Sequence, residues 1–95
     1  MITITQIIKN ITKYRILREN GGLSKEVADK LAFIEKGVNG LSNIDKEFMV
    51  MYINEGLSLA LIASHMHVTR SGLYKKINRI GKELEDIYQE LKSFQ

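Results

Sequence analysis

Residues 58–80, SLALIASHMHVTRSGLYKKINRI, constrain the fold most, because apolar side chains recur there at helical spacing on both sides of a short break. Ser58 suits the N-cap of a first helix, where its hydroxyl accepts from an otherwise unpaired backbone N–H. Leu59, Ile62 and Ala63 then share one face. Ala63 is small where two helices crossing near a right angle bring their backbones together. His65-Met66-His67-Val68 makes the break, with Met66 and Val68 expected to tuck inward as its apolar plug. Thr69 offers a second N-cap, opening a helix at Arg70 whose stripe Leu73, Ile77 and Ile80 turns toward the first helix. The opposite face carries Arg70, Ser71, Tyr74, Lys75, Asn78 and Arg79.

A helix about 10–12 Å across fits the major groove of B-form DNA, and residues near its N-terminus then reach base edges. The residue types fit such a role. Arg bonds a guanine edge bidentately, Asn an adenine edge, and Ser, Lys and Tyr supply phosphate contacts. Between Gly56 and Lys82 the charges are Arg70, Lys75, Lys76, Arg79 and Lys82, with no Asp or Glu. The candidate DNA-binding set is therefore Thr69, Arg70, Ser71, Tyr74, Lys75, Lys76, Asn78, Arg79 and Lys82. The pattern also admits a plainer reading, in which this is the solvated basic face of a protein-interaction bundle.

From Leu41 to Leu84, about half of the chain, the sequence resembles the region 4 helix-turn-helix of sigma factors and related small phage regulators. The likeness runs through a Leu-Ser opening, an acidic-start helix ending in Tyr-x-x-x-Gly-x-Ser, an Ile-Ala pair, an apolar-Thr-Arg-Ser turn and a basic tail. The resemblance implies duplex DNA binding through the helix that begins at Thr69, with Arg70, Ser71, Tyr74, Lys75 and Asn78 at the contacting positions. One position departs from the pattern: His67 stands where the family usually has Gly. A left-handed backbone is needed there, at a cost of about 1 kcal/mol to a residue with a side chain. Nothing in the other half resembles further regions of a sigma factor, so promoter melting is not implied.

The remaining sequence reads as support. With 95 residues, 44% of them hydrophobic and 26% charged, the chain suits one globular domain with a modest core that oligomerisation would supplement. The absence of Cys suits a reducing cytosol, and neither a signal peptide nor an apolar span is recognisable. Ile4, Ile7, Ile8, Ile11 and Tyr14 predict a helix over residues 5–19, although the opening ITIT also suits a strand. Asn20-Gly21-Gly22 stops it, and Ser24 caps a second helix with Val27, Ala28, Leu31 and Ile34 on its apolar side, ended by Gly37. These two are expected to pair as an antiparallel hairpin, residues 1–38, with Glu26, Asp29 and Lys30 facing solvent.

Residues 38–43 read as a loop. Asp45 is expected to cap a third helix, residues 46–54, with Ile44, Phe48, Met51 and Tyr52 packed behind the reading pair in a core unit of residues 41–84. Residues 84–95 extend the last helix. Leu73, Ile77, Ile80, Leu84, Ile87 and Leu91 repeat at the spacing of a heptad seam, and Gly81 would mark a bend. Beyond Lys82 the charge turns acidic, so this end should lead away from DNA. Leu84, Ile87, Tyr88, Leu91 and Phe94 then pack on the N-terminal hairpin or form a homodimer seam, with the dimer through Leu84, Ile87, Tyr88 and Leu91 favoured.

The expected architecture is all-α: a small bundle of about five helices with a C-terminal helix-turn-helix and an extended recognition helix. The expected function is that of a cytoplasmic, sequence-specific, double-stranded-DNA-binding transcriptional regulator of phage or mobile-element type, with RNA polymerase as a further contact. Two other classes remain open. One is an assembly component such as a phage terminase small subunit, and the other is a protein-interaction module that binds RNA polymerase or a sigma factor. Enzymatic activity has no support in a chain without Cys, a phosphate-binding Gly-Lys-Ser/Thr loop or a His partnered with an acid. His65 and His67, two apart on a turn, make a poor metal site, and no cofactor motif is present.

Overall fold

The computed structural model describes residues 1–94; Gln95, the last residue of the expected extension, lies outside the described residues. Six α-helices follow one another, and no strand occurs among the described residues. They are α1 (Ile4–Lys9), α2 (Ile11–Glu19), α3 (Lys25–Gly37), α4 (Asn43–Met49), α5 (Leu59–Met66) and α6 (Arg70–Ser93). No helix among the described residues is long and apolar enough to cross a membrane.

The N-terminal segment is two helices, not one. Thr3 and Gln6 form a reciprocal capping box that starts α1, which removes the strand reading of ITIT. At Asn10 the backbone leaves helical dihedrals (φ −129°, ψ 39°), while its side-chain amide donates to Gln6 O at 3.2 Å. Such a local bond offers the backbone an alternative to the helical ladder. The break lets Ile4, Ile7 and Ile8 bury against α6 and α3 while α2 takes another course. Lys30 of α3 meets Ile2, and Glu35 meets Arg15 and Arg18. Residues 5–19 are therefore not one helical arm: α1 packs on α3 and α6, while α2 meets α3 through the contacts of Arg15 and Arg18 with Glu35.

Ser24 caps α3 by accepting from Val27 N–H at 3.3 Å. Gly37 does not stop this helix in a left-handed turn; it is the last helical residue, and the chain continues into a 3₁₀ turn over Val38–Gly40. Its lack of a side chain serves packing, since a Cβ there would lie 3.2 Å from Leu84 Cδ2 of α6. Ser42, not Asp45, caps α4, and Ile44 is 62% exposed, whereas Phe48 and Met49 are fully buried. The helix widens at Val50–Asn54, where Glu55 N–H donates five residues back to Val50 O, and Gly56 (φ 66°) ends it.

Helix α6 is continuous for 24 residues. Its buried line runs Leu73, Ile77, Ile80, Leu84 and then Tyr88, so Ile87 and Leu91 of the expected heptad seam turn outward. A straight helix has 3.6 residues per turn and drifts off a 3.5-residue repeat, and no supercoil holds the seam in register here. Gly81 does not interrupt the helix. It is buried where α1 crosses, and a Cβ would come within 2.9 Å of Thr5 Cα. In an open helix Gly81→Ala would stabilise by about 1 kcal/mol. Here overpacking against the α1 backbone should win, and urea unfolding of Gly81→Ala should show a net loss of about 1–3 kcal/mol; a gain would show that the close approach does not exist.

Candidate nucleic-acid interface

The turn between α5 and α6 is built by backbone geometry that the sequence fixes locally. Ser58 Oγ accepts from Leu61 N–H at 3.2 Å, and Ile62 and Ala63 bury the inner face of α5. His67 adopts the left-handed conformation (φ 57°, ψ 42°), as the residue in place of Gly requires. It lets Val68 N–H reach back to Ala63 O at 3.0 Å, closing the helix end. Met66 is half-buried, but Val68 is exposed and plugs nothing: once His67 has turned the chain, Val68 lies on the outer side. Thr69 Oγ1 accepts from Gly72 N–H at 3.0 Å and starts α6.

Of the nine candidate DNA contacts, all but the half-buried Lys76 are exposed. Ser71, Lys75, Asn78 and Lys82 follow one another at helical spacing, opposite the buried line of α6. Arg70, Lys75 and Lys82 have no carboxylate within 4.0 Å among the described residues. Lys76 and Arg79 are placed differently. Both are held by Asp45 of α4, which is nearly fully buried: Arg79 donates to its two oxygens at 2.7 and 2.9 Å, and Lys76 at 3.2 Å. Arg79 also reaches Glu83 at 3.3 Å. These two cations clamp one flank of α6 to α4, leaving three of the five candidate cations, Arg70, Lys75 and Lys82, without an acidic partner among the described residues.

Asp45 is the residue whose role local sequence misassigns. Ser42-x-x-Asp45 is a capping pattern, and Asp45 N–H does donate to Ser42 Oγ, but its carboxylate turns away toward α6. The bidentate Arg79 contact holds that carboxyl below the usual range against the opposing effect of burial, with Lys76 assisting. Arg79 is raised in turn by the same bond. Along one edge, Tyr52 donates to Ile8 O at 2.9 Å and stacks on Phe48. Burial pushes its phenol up, and the nearby Tyr74 adds to that. No group of three or more His, Cys, Asp or Glu residues able to hold a metal occurs among the described residues.

The expected dimer seam is divided by the fold. Leu84 and Tyr88 are buried within the chain, Tyr88 edge-on to Phe33 at 5.3 Å, whereas Ile87, Leu91 and Phe94 are 46%, 52% and 80% exposed. A family model described as "UPF0122: Putative helix-turn-helix protein, YlxM / p13 like" matches residues 24–95. The match spans α3 to the C-terminus and includes the whole α5–turn–α6 unit. No curated protein and no solved structure matches the chain.

The Asp45 clamp has a defined pH dependence. Because its pKa is lowered on folding, its stabilisation is complete above the ordinary carboxylate value and is lost as pH falls through the lower native one. Asp45→Asn should cost about 2 kcal/mol at pH 7, a figure discounted for the half-exposed Arg79. In denaturant titrations the gap from the unmodified protein should narrow below about pH 4. A gap that stays constant from pH 7 to pH 2 would count against the charge pairing.

Proposed function

The chain belongs to this helix-turn-helix family, and on that premise we propose that it is a sequence-specific regulator of transcription that binds double-stranded DNA in the cytoplasm. The N-terminal half of α6 enters the major groove. Arg70 and Asn78 read base edges, while Thr69, Ser71, Tyr74, Lys75 and Lys82 meet the sugar-phosphate backbone. One observation carries this reading: Arg70, Ser71, Tyr74 and Asn78 stay open to solvent on a helix packed against the protein on its other sides, and Arg70, Lys75 and Lys82 have no acidic partner among the described residues. Lys76 and Arg79 serve as positioning residues, since Asp45 already occupies them. The likeness to sigma region 4 and to phage regulators favours a promoter as the site of action, with RNA polymerase within reach of the bound protein.

Selection of duplexes from a random pool should recover one preferred sequence. On that sequence Arg70→Ala should lose about 1–3 kcal/mol and relax the choice of base at one position. Lys82→Ala should weaken selected and random duplexes alike, lowering the salt slope by about one unit. Equal losses on both kinds of duplex from both changes would show that Arg70 reads no base.

A homodimer is the second part of the proposal, through Ile87, Leu91 and Phe94. This apolar strip has the acidic Glu83, Asp86 and Glu90 on the same helix, and beside it lies a groove lined by Glu26, Asp29 and three lysines, of which Lys25 pairs with Asp29 while Lys36 and Lys92 have no acidic partner among the described residues. Two copies related by a two-fold axis would set each acidic edge against the other's lysines. Light scattering should give twice the chain mass, and Leu91→Glu should return it to a monomer; a monomeric unmodified protein would remove this part, and a ring of many subunits would favour the assembly-component reading.

A further inference from the structure

Tyr74, Asn78, Gly81 and Glu85 are spaced four, three and four residues apart, so they form one line along a flank of α6. The second half of that line is covered by α1. Gly81 lies against Thr5, and Glu85 Oε1 accepts from Ile4 N–H at 3.0 Å. Ile4 and Thr5 thus pack on the part of α6 that carries Gly81 and Glu85, and Lys9, four residues after Thr5, lies on the same side of α1 as Thr5. Tyr52 makes a second link between the same places: its hydroxyl bonds Ile8 O, and Tyr74 is close enough to bias its ionisation. Beyond Lys9 the chain bends at Asn10 and passes Lys13 around a recess of about 250 Å³, whose walls include Lys9, Lys13, Tyr52 and Gly56. Ser58, the cap of α5, follows directly.

The four cations of the N-terminal helices divide into two pairs. Arg15 and Arg18 are spent on Glu35 at 3.0 and 2.7 Å, and Arg15 also donates to Ile53 O at 2.7 Å. Lys9 and Lys13 are exposed, with no carboxylate within 4.0 Å among the described residues. They are thus the two cations of the N-terminal helices without an acidic partner, and both line the recess walled by Tyr52, whose hydroxyl bonds Ile8 O.

We propose that Lys9 and Lys13 form a second phosphate-binding surface, gripping the DNA backbone that flanks the groove entered by α6. The inference rests on the DNA-binding reading above and extends it outside the part of the chain that the family model matches. It also gives α1 a mechanical role. By covering Gly81 and Glu85, α1 closes that flank of α6 to the duplex beyond Asn78 while Lys82 stays open on the other side, and its own basic end meets the groove's edge. A nucleic-acid backbone is the occupant that fits, because the two lysines, like Arg70, Lys75 and Lys82, are exposed and have no acidic partner among the described residues.

The test uses the full chain and the duplex recovered by selection, with affinity measured over a series of salt concentrations. Lys9→Ala/Lys13→Ala should reduce the slope of log K against log salt by about two and weaken selected and random duplexes equally, roughly tenfold near physiological salt. Lys9→Arg/Lys13→Arg should restore both, since the charge is kept, and thermal melting should show all variants folded. If the alanine pair leaves slope and affinity unchanged while Arg70→Ala still weakens the selected duplex, the second surface is refuted and the DNA-binding reading stands. If the unmodified chain shows no salt-dependent duplex binding, both fall.

Discussion

Asp45 sets the roll of α6 about its own axis. A recognition helix is useful only if a fixed set of side chains points outward, and a helix packed through aliphatic residues alone can rotate or slide at modest cost. Asp45 prevents that by holding Arg79 through both oxygens and Lys76 through one, from a nearly buried position on α4. The planar guanidinium matches a carboxylate in one geometry, so the contact specifies an angle as well as a distance. On the other flank, Gly81 against Thr5 fixes the height of α1. Between the two anchors Ser71, Lys75, Asn78 and Lys82 have nowhere to face but outward.

A second polar device ties the N-terminus to the same helix. Lys30 is fully buried, contrary to its expected place in solvent; its ammonium donates to Ile2 O at 3.0 Å and lies 3.5 Å from Glu85. Glu85 also accepts from Ile4 N–H, and Lys30 sits 5.7 Å from the Tyr88 ring. An ammonium taken out of water is costly unless its donors are used, and here carbonyl, carboxylate and ring share them. α1, α3 and α6 meet at this point. The acidic turn of the last helix, which as sequence looked only like charge kept away from DNA, thus holds the interior together as well.

Features governed by neighbours in sequence were legible. Ser24, Ser58 and Thr69 cap the helices they precede, His67 takes the left-handed turn, and Leu73, Ile77 and Ile80 are buried. What escaped depends on contacts distant in sequence. Nothing near Gly81 reveals that Thr5 will press on it, so a glycine inside a helix reads as a weak point. Nothing near Lys30 reveals Ile2 and Glu85, and nothing near Arg79 reveals Asp45. The seam failed for a related reason: a seven-residue repeat and a 3.6-residue turn agree over three turns and part afterwards, and the fold follows the turn to Tyr88. In the candidate interface, exposure of Arg70, Ser71, Tyr74 and Asn78 was legible, whereas the withdrawal of Lys76 and Arg79 into an ion cluster was not.

The central claim is that a helix locked on two flanks offers the exposed side of its first two turns to the major groove. Backbone amide resonances, recorded while a selected duplex is added to the full chain, address it directly. Arg70, Ser71, Tyr74, Lys75 and Asn78 should shift most, with Ile87, Leu91 and Phe94 nearly still. Shifts confined to the C-terminal end of α6, with residues 70–78 unmoved at saturating duplex, would contradict it.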